Sequence, residues 1–212
     1  MKKKLMSVLA IVLVIAMSVA GTYAYLTSQD KVVNTFTVGN VAITLDEAKA
    51  DADGSLVADA DRVKTNTYKL LPGHTYNKDP MVTVKAGSED CYVKMTLTIN
   101  NAAALDAIFA GVDGHANMAT IFSGYDADTW SYQGNTKEGD TRTYTFFYKN
   151  SVPATGDNDV ALKALFEKVN VPDFITGEQL ATLNNFAMTI NAYAVQADGF
   201  DSAAEAFAAA GI

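Results

Sequence analysis

A single cysteine, Cys91, stands in the 212 residues, so no internal disulfide can form and stability must come from packing alone. Histidine occurs twice, at His74 and His115, and neither lies in the His-Glu-x-x-His pattern that sets two zinc ligands on one helix face. Positive charge is scarce: 16 basic residues face 24 acidic ones, a formal net charge of −8 with no basic stripe. Such a chain repels nucleic acid and anionic lipid, which excludes a nucleic-acid partner. Serine never appears as Gly-x-Ser-x-Gly, and no glycine-rich phosphate cradle follows a strand pattern. There is no fixed-period repeat and no low-complexity linker, and catalysis finds no recognisable constellation.

What is present begins at the N-terminus. Lys2 to Lys4 precede an apolar run from Leu5 to Ala20, followed by small residues and the polar stretch Thr27-Ser28-Gln29-Asp30. This is the order of a secretory signal peptide. As a helix the run would span roughly 24 Å, short of the roughly 30 Å hydrocarbon core, so a membrane association that ends at cleavage fits better than a permanent anchor. Ser18-Val19-Ala20 and Thr22-Tyr23-Ala24 both satisfy the small-x-small rule; a cut between Ala24 and Tyr25 is favoured. Residues 1–24 are then the signal peptide and 25–212 one domain. Loss of three lysines makes that domain three charges more negative than the full chain.

Past Ala24 the pattern is β. Val32 to Val38 is rich in β-branched and aromatic residues, Gly39-Asn40 is a turn signal, and Val41, Ile43 and Leu45 alternate with polar neighbours. Residues 46–61 are acidic and read as a surface loop or short helix. Strands are expected over Thr65–Leu71, Met81–Lys85, Cys91–Asn100, Trp130–Gln133, Thr141–Lys149 and Phe186–Gln196, with turns at Gly134-Asn135 and Glu138 to Asp140. Asn101–Gly111 switches to helical period with Asn101 as cap, Gly177–Asn185 suggests a helix, and Asp201–Ala210 a short terminal one. Leu162–Val171 fits helix or strand. Cys91, Val93, Met95, Leu97 and Ile99 alternate, which places the thiol in the core. The expectation is a mainly β fold: an antiparallel two-sheet sandwich, jelly-roll-like, with short helical insertions and a short C-terminal helix.

The N-terminal stretch Ala20-Gly21-Thr22-Tyr23-Ala24-Tyr25, followed by Asn34-Thr35-Phe36-Thr37-Val38-Gly39-Asn40 and an alternating strand, resembles the TasA/camelysin family, exported through a SipW-type signal peptidase. Softer likenesses lie in residues 71–80, 91–95 and 194–200. The resemblance implies a secreted jelly-roll protein of the extracellular matrix or cell surface. Its partners would be other copies of itself or related matrix proteins, joined into biofilm fibres by donation of the N-terminal strand. The candidate donor is 25–38, with Tyr25, Leu26, Val32, Val33, Phe36 and Val38 as anchors. A strand added to a sheet edge gains a row of backbone hydrogen bonds while alternate side chains fill a groove. Two alternatives stay open: a monomeric surface adhesin or ligand-binding sandwich whose strand pairs within its own subunit, and a camelysin-like metallopeptidase.

Other features point to structure more than chemistry. No cofactor is expected. Asp51-Ala52-Asp53-Gly54 mimics the centre of an EF-hand, but Lys49 and Ala60 fall where acids are required; Asp51, Asp53, Asp59 and Asp61 remain weak calcium candidates. Val152-Pro153-Ala154-Thr155-Gly156 looks like a sortase pentapeptide without the downstream apolar span and basic tail. Tyr144, Phe146 and Tyr148 could form a sugar-stacking face, but such a stripe more often packs a core.

Overall fold

The computed structural model describes residues 39–110 and 121–212. In chain order the strands there are β1 (Ile43–Asp46), β2 (Thr75–Asn77), β3 (Met81–Val84), β4 (Cys91–Ile99), β5 (Phe122–Ser123), β6 (Trp130–Glu138), β7 (Thr141–Tyr148), β8 (Val160–Ala161), β9 (Lys168–Asn170) and β10 (Met188–Gln196). The helices are α1 (Ala102–Phe109), α2 (Gly177–Ala181) and α3 (Ala203–Ala209). The fold is mainly β and antiparallel throughout.

β4 alternates strictly between buried and half-buried residues over its nine positions. Cys91, Val93, Met95, Leu97 and Ile99 point inward, because successive strand residues face opposite sides. β4 sits between β10 and β7, and β7 carries β6, giving the order β10-β4-β7-β6. A second sheet, β1-β3-β8, supplies Val82 and Val84 to the same core, which also holds Trp130, Phe146, Leu165 and Phe166. Two sheets sharing one apolar core make the expected sandwich. A third, smaller sheet, β2-β9-β5, has its own cluster with α1 around Tyr76, Ile108, Phe109, Val171 and Ile175. β2 and β5 are too short to show a period in the sequence.

The outer face of the four-stranded sheet is partly covered by α3. Phe207 stacks on Phe147 with ring centroids 5.3 Å apart, and the Lys94 ammonium lies 5.2 Å from the Tyr193 ring and 5.4 Å from that of Phe207. Ser202 caps α3 through the Glu205 amide, as expected of a residue at that position. Thr176 and Gln179 form a reciprocal capping box on α2.

Several local expectations are corrected. Thr65–Leu71 is not a strand: it runs as an irregular segment, its side chains and backbone tied to neighbours on other elements, such as the Tyr68 hydroxyl donating to the Asn77 carbonyl at 2.8 Å. Gly134-Asn135 is no hairpin turn. Gly134, at φ 114°, follows a bulge inside β6, and the chain reverses instead at Gly139-Asp140. Asn101 does not cap α1 with its side chain; it adopts a left-handed conformation, and Asp140 accepts from the Ala103 amide at 2.8 Å. Leu162–Val171 resolves into neither a helix nor one strand, contributing only the short β9. The hairpin partner expected at Val32–Val38 lies outside the described residues.

Cys91 is fully buried, and burial pushes its thiol up to about 11, so the group is inert at neutral pH. Phe146 lies in the core with Tyr144 and Tyr148 packed against it, which accounts for the aromatic stripe as packing. The sortase-like pentapeptide is built in: Val152 pairs with Cys91, and the Thr155 hydroxyl donates to the Lys85 carbonyl at 2.8 Å.

Truncating Leu97 to Ala leaves a void facing both sheets and is expected to cost about 3 kcal/mol, read from the urea midpoint at unchanged m-value. Exposed ion pairs give a second expectation. Arg142 beside Asp106, Lys163 beside Asp126 and Lys85 beside Asp159 hold these carboxyls below the ordinary carboxylate range. A lowered folded value means their contribution is present above the ordinary carboxylate range and is lost as pH falls through and below it. The thermal midpoint should therefore be flat near neutrality and decline from about pH 5 downward.

Candidate functional site

The sandwich is open on one side. Among the described residues β1 pairs only with β3 and β10 only with β4, so each presents a free edge, and the two edges run beside each other. Between them lies a groove of about 620 Å³. Its floor is apolar: Ile43 and Leu45 from β1, and Met188, Ile190 and Ala192 from β10, all half-buried against the main core. Met188, Ile190 and Ala192 face the groove because they stand opposite the inward residues Ile99, Leu97 and Met95 of β4. Thr44, Thr189 and Asn191 line its more polar side. An adjoining cleft of about 390 Å³ shares Thr65, Asn66, Lys78, Met188 and Thr189 with it, so the opening continues along β10 toward Phe186.

One end is lined by the segment after Arg62, through Val63, Lys64, Thr65 and Asn66. Glu47 and Val63 exchange backbone hydrogen bonds of 2.9 and 2.7 Å, and from there the chain leaves β1 and turns toward β10. The Lys64 ammonium donates to the Leu45 carbonyl on the free edge of β1. Arg62 fastens this end: its guanidinium binds Asp46 at 2.5 Å and Asp79 at 2.8 Å, and donates to both residues' carbonyls. Deeper in, Glu47 is 5% exposed and accepts from Lys78 at 2.5 Å and from Asn66 at 3.0 Å. Burial, with the Glu47 charge nearby, pushes the Tyr68 phenol up to about 12, which keeps its hydroxyl a donor.

The four calcium candidates are all exposed. Asp53 is occupied locally, accepting from the Ser55 amide at 2.9 Å and hydroxyl at 2.7 Å. Gly54 closes this turn at φ 87°, and a Cβ there would stand 2.7 Å from Tyr76 Cα; the glycine serves the turn and its close packing. Among the described residues no group of three or more His, Cys, Asp or Glu is placed to hold a metal ion. His74 is exposed in its turn, and His115 lies outside the described residues. So do Ala24, Tyr25, Leu26, Val32, Val33, Phe36 and Val38. Sequence reasoning missed the groove itself. Only the alternation in β10 and β1 hinted at it, because which edges stay unpaired is a property of the assembled sheets.

Residues 1–75 match the model of the camelysin metallo-endopeptidase family. The resemblance read from the N-terminal residues holds over that stretch. It spans the signal-like segment, β1, and the groove segment around Asn66. No curated protein and no solved structure matches the chain. The peptidase named in the family's description requires converging metal ligands, and the described residues offer no such set. Among the described residues no helix is long and apolar enough to cross a membrane.

Arg62→Ala removes the clamp between β1 and the start of β3. Because its partners are only partly exposed, the change is expected to cost about 1–2 kcal/mol, seen as a lower urea midpoint.

Proposed function

We propose that this chain is a structural subunit of extracellular matrix or cell-surface fibres, assembled by strand donation. Export would end with cleavage between Ala24 and Tyr25, and residues 25–38 of one copy would lie along the β10 edge of the next. The observation that carries this reading is the groove between two edges that are unpaired among the described residues, apolar on its floor and bordered by backbone able to accept a strand. Val32, Phe36 and Val38 fall on one face of an extended segment and suit a floor made of Ile43, Leu45, Met188, Ile190 and Ala192. The family match at residues 1–75 covers the donor segment and one wall of the groove, which supports placing both in one device. The acidic surface disfavours non-specific association, so contact between copies needs a dedicated fit such as this one.

Electron microscopy and light scattering of the chain beginning at Tyr25 are expected to show fibres. A chain beginning at Gly39 should give none, and Ile190→Asp, which charges the groove floor, should reduce assembly at least tenfold. Fibres from the shortened chain, or persistent monomers of the longer one at high concentration, would sink the reading in favour of a monomeric adhesin. Chelator-sensitive proteolysis by the purified protein would instead favour the peptidase that the family's description names.

A further inference from the structure

The end of the groove lined by the segment after Arg62 holds three side chains, Glu47, Asn66 and Lys78, that meet at one carboxylate. Glu47 stands between Lys78 and Asn66, one carboxylate oxygen to each: Oε2 accepts from Lys78 Nζ at 2.5 Å and Oε1 from Asn66 Nδ2 at 3.0 Å. The Lys78 and Glu47 side chains are 12% and 7% exposed. The amide of Asn66 is fixed in orientation. Its Oδ1 accepts from the Ala50 amide at 2.9 Å, while Nδ2 also donates to the Ala48 carbonyl at 2.9 Å, so the reversed orientation would set oxygen against two acceptors.

We propose that Lys78 and Asn66 join through an amide cross-link formed by the protein itself, with Glu47 as proton carrier. Removing both charges of the Lys78–Glu47 pair from water is costly, and transfer of one proton from ammonium to carboxylate cancels both at once. The amine lone pair then attacks Asn66 Cγ. The charge that develops on Oδ1 meets the Ala50 N–H, as in an oxyanion site. Glu47 delivers its proton to Nδ2, which lies against it and is the leaving nitrogen. The C–Nδ2 bond breaks, a C–Nζ bond forms, and the remaining Nζ proton leaves with the departing group as ammonium. Lysine ammonium and asparagine amide thus become a secondary amide and ammonium, Glu47 returns to carboxylate, and no oxidant or other reactant is needed. All three residues line the groove, which gives the ammonium a way out.

The cross-link would tie the segment that follows Arg62 to the chain between β2 and β3, independently of whether copies assemble. Intact-mass spectrometry of the secreted, folded chain, corrected for its observed N-terminus, is expected to fall short of the sequence mass by one ammonia. Digestion should yield a branched peptide joining the Asn66 and Lys78 segments. Glu47→Gln and Lys78→Arg should each restore the missing ammonia and abolish the branched peptide. The full sequence mass in the unmodified protein overturns the proposal, as does a missing ammonia without the branched peptide, which marks a succinimide. Since the unmodified chain decides the matter, a variant that fails to fold does not blunt the test.

Discussion

Because β4 is hydrogen-bonded on both sides and alternates without a break, it fixes the registers of β10 and β7 and, through β7, of β6. A slip of one residue would carry Cys91, Val93, Met95, Leu97 and Ile99 to the outer face and bring Lys94 and Thr96 into the core. That penalty makes the strand's register the constraint on which the sandwich, the seat of α3 and the position of the groove all depend. α3 reads the opposite face of the same strand through Lys94, so the alternation organises both sides of the sheet.

An open sandwich has sheet edges to protect, and this one treats its edges differently. β6 carries a bulge at Tyr132 to Gly134 and exposed Lys137 and Glu138, devices that discourage pairing with another chain. β8 is only two residues long. β1 and β10 have neither bulge nor inward charge along Ile43–Leu45 and Met188–Ala192, and their edges, unpaired among the described residues, are turned toward one another around an apolar floor. The contrast within one molecule sets this side of the sandwich apart from the side formed by β6 and β8.

The sandwich was legible because β4, β7 and β10 are long and strongly patterned, with periods that survive any reasonable choice of boundary. Elements governed by tertiary contacts were not. Thr65–Leu71 has strand composition, but its polar groups are drawn to Glu47, Ala48, Asn77 and Tyr76 from four sides, and no ladder forms. Gly134-Asn135 carries a hairpin signal that the longer Trp130–Glu138 ladder overrides, with a bulge between Tyr132 and Gly134 and the glycine itself paired with Thr145. The groove was invisible for a related reason, since edges are defined by which strands do not pair. Glu47, Asn66 and Lys78 stand far apart in the sequence, and tertiary contacts bring them together: the Glu47–Val63 pairing, the Arg62 clamp on Asp46 and Asp79, and the Ala48 amide donating to Asp79.

A buried ion pair is weak support for stability, because the cost of taking the charges from water offsets much of their attraction. A lysine and an asparagine on opposite oxygens of one buried carboxylate therefore call for a reason beyond stability. Their location supplies one. All three side chains line the groove, beside the clamp that Arg62 makes to Asp46 and Asp79. Noncovalent contacts in a groove wall can yield under load; the proposed amide between Lys78 and Asn66 would not. The irregular course of residues 63–68 is what delivers Asn66 to Glu47, and a regular strand there would have spent the same backbone on a ladder.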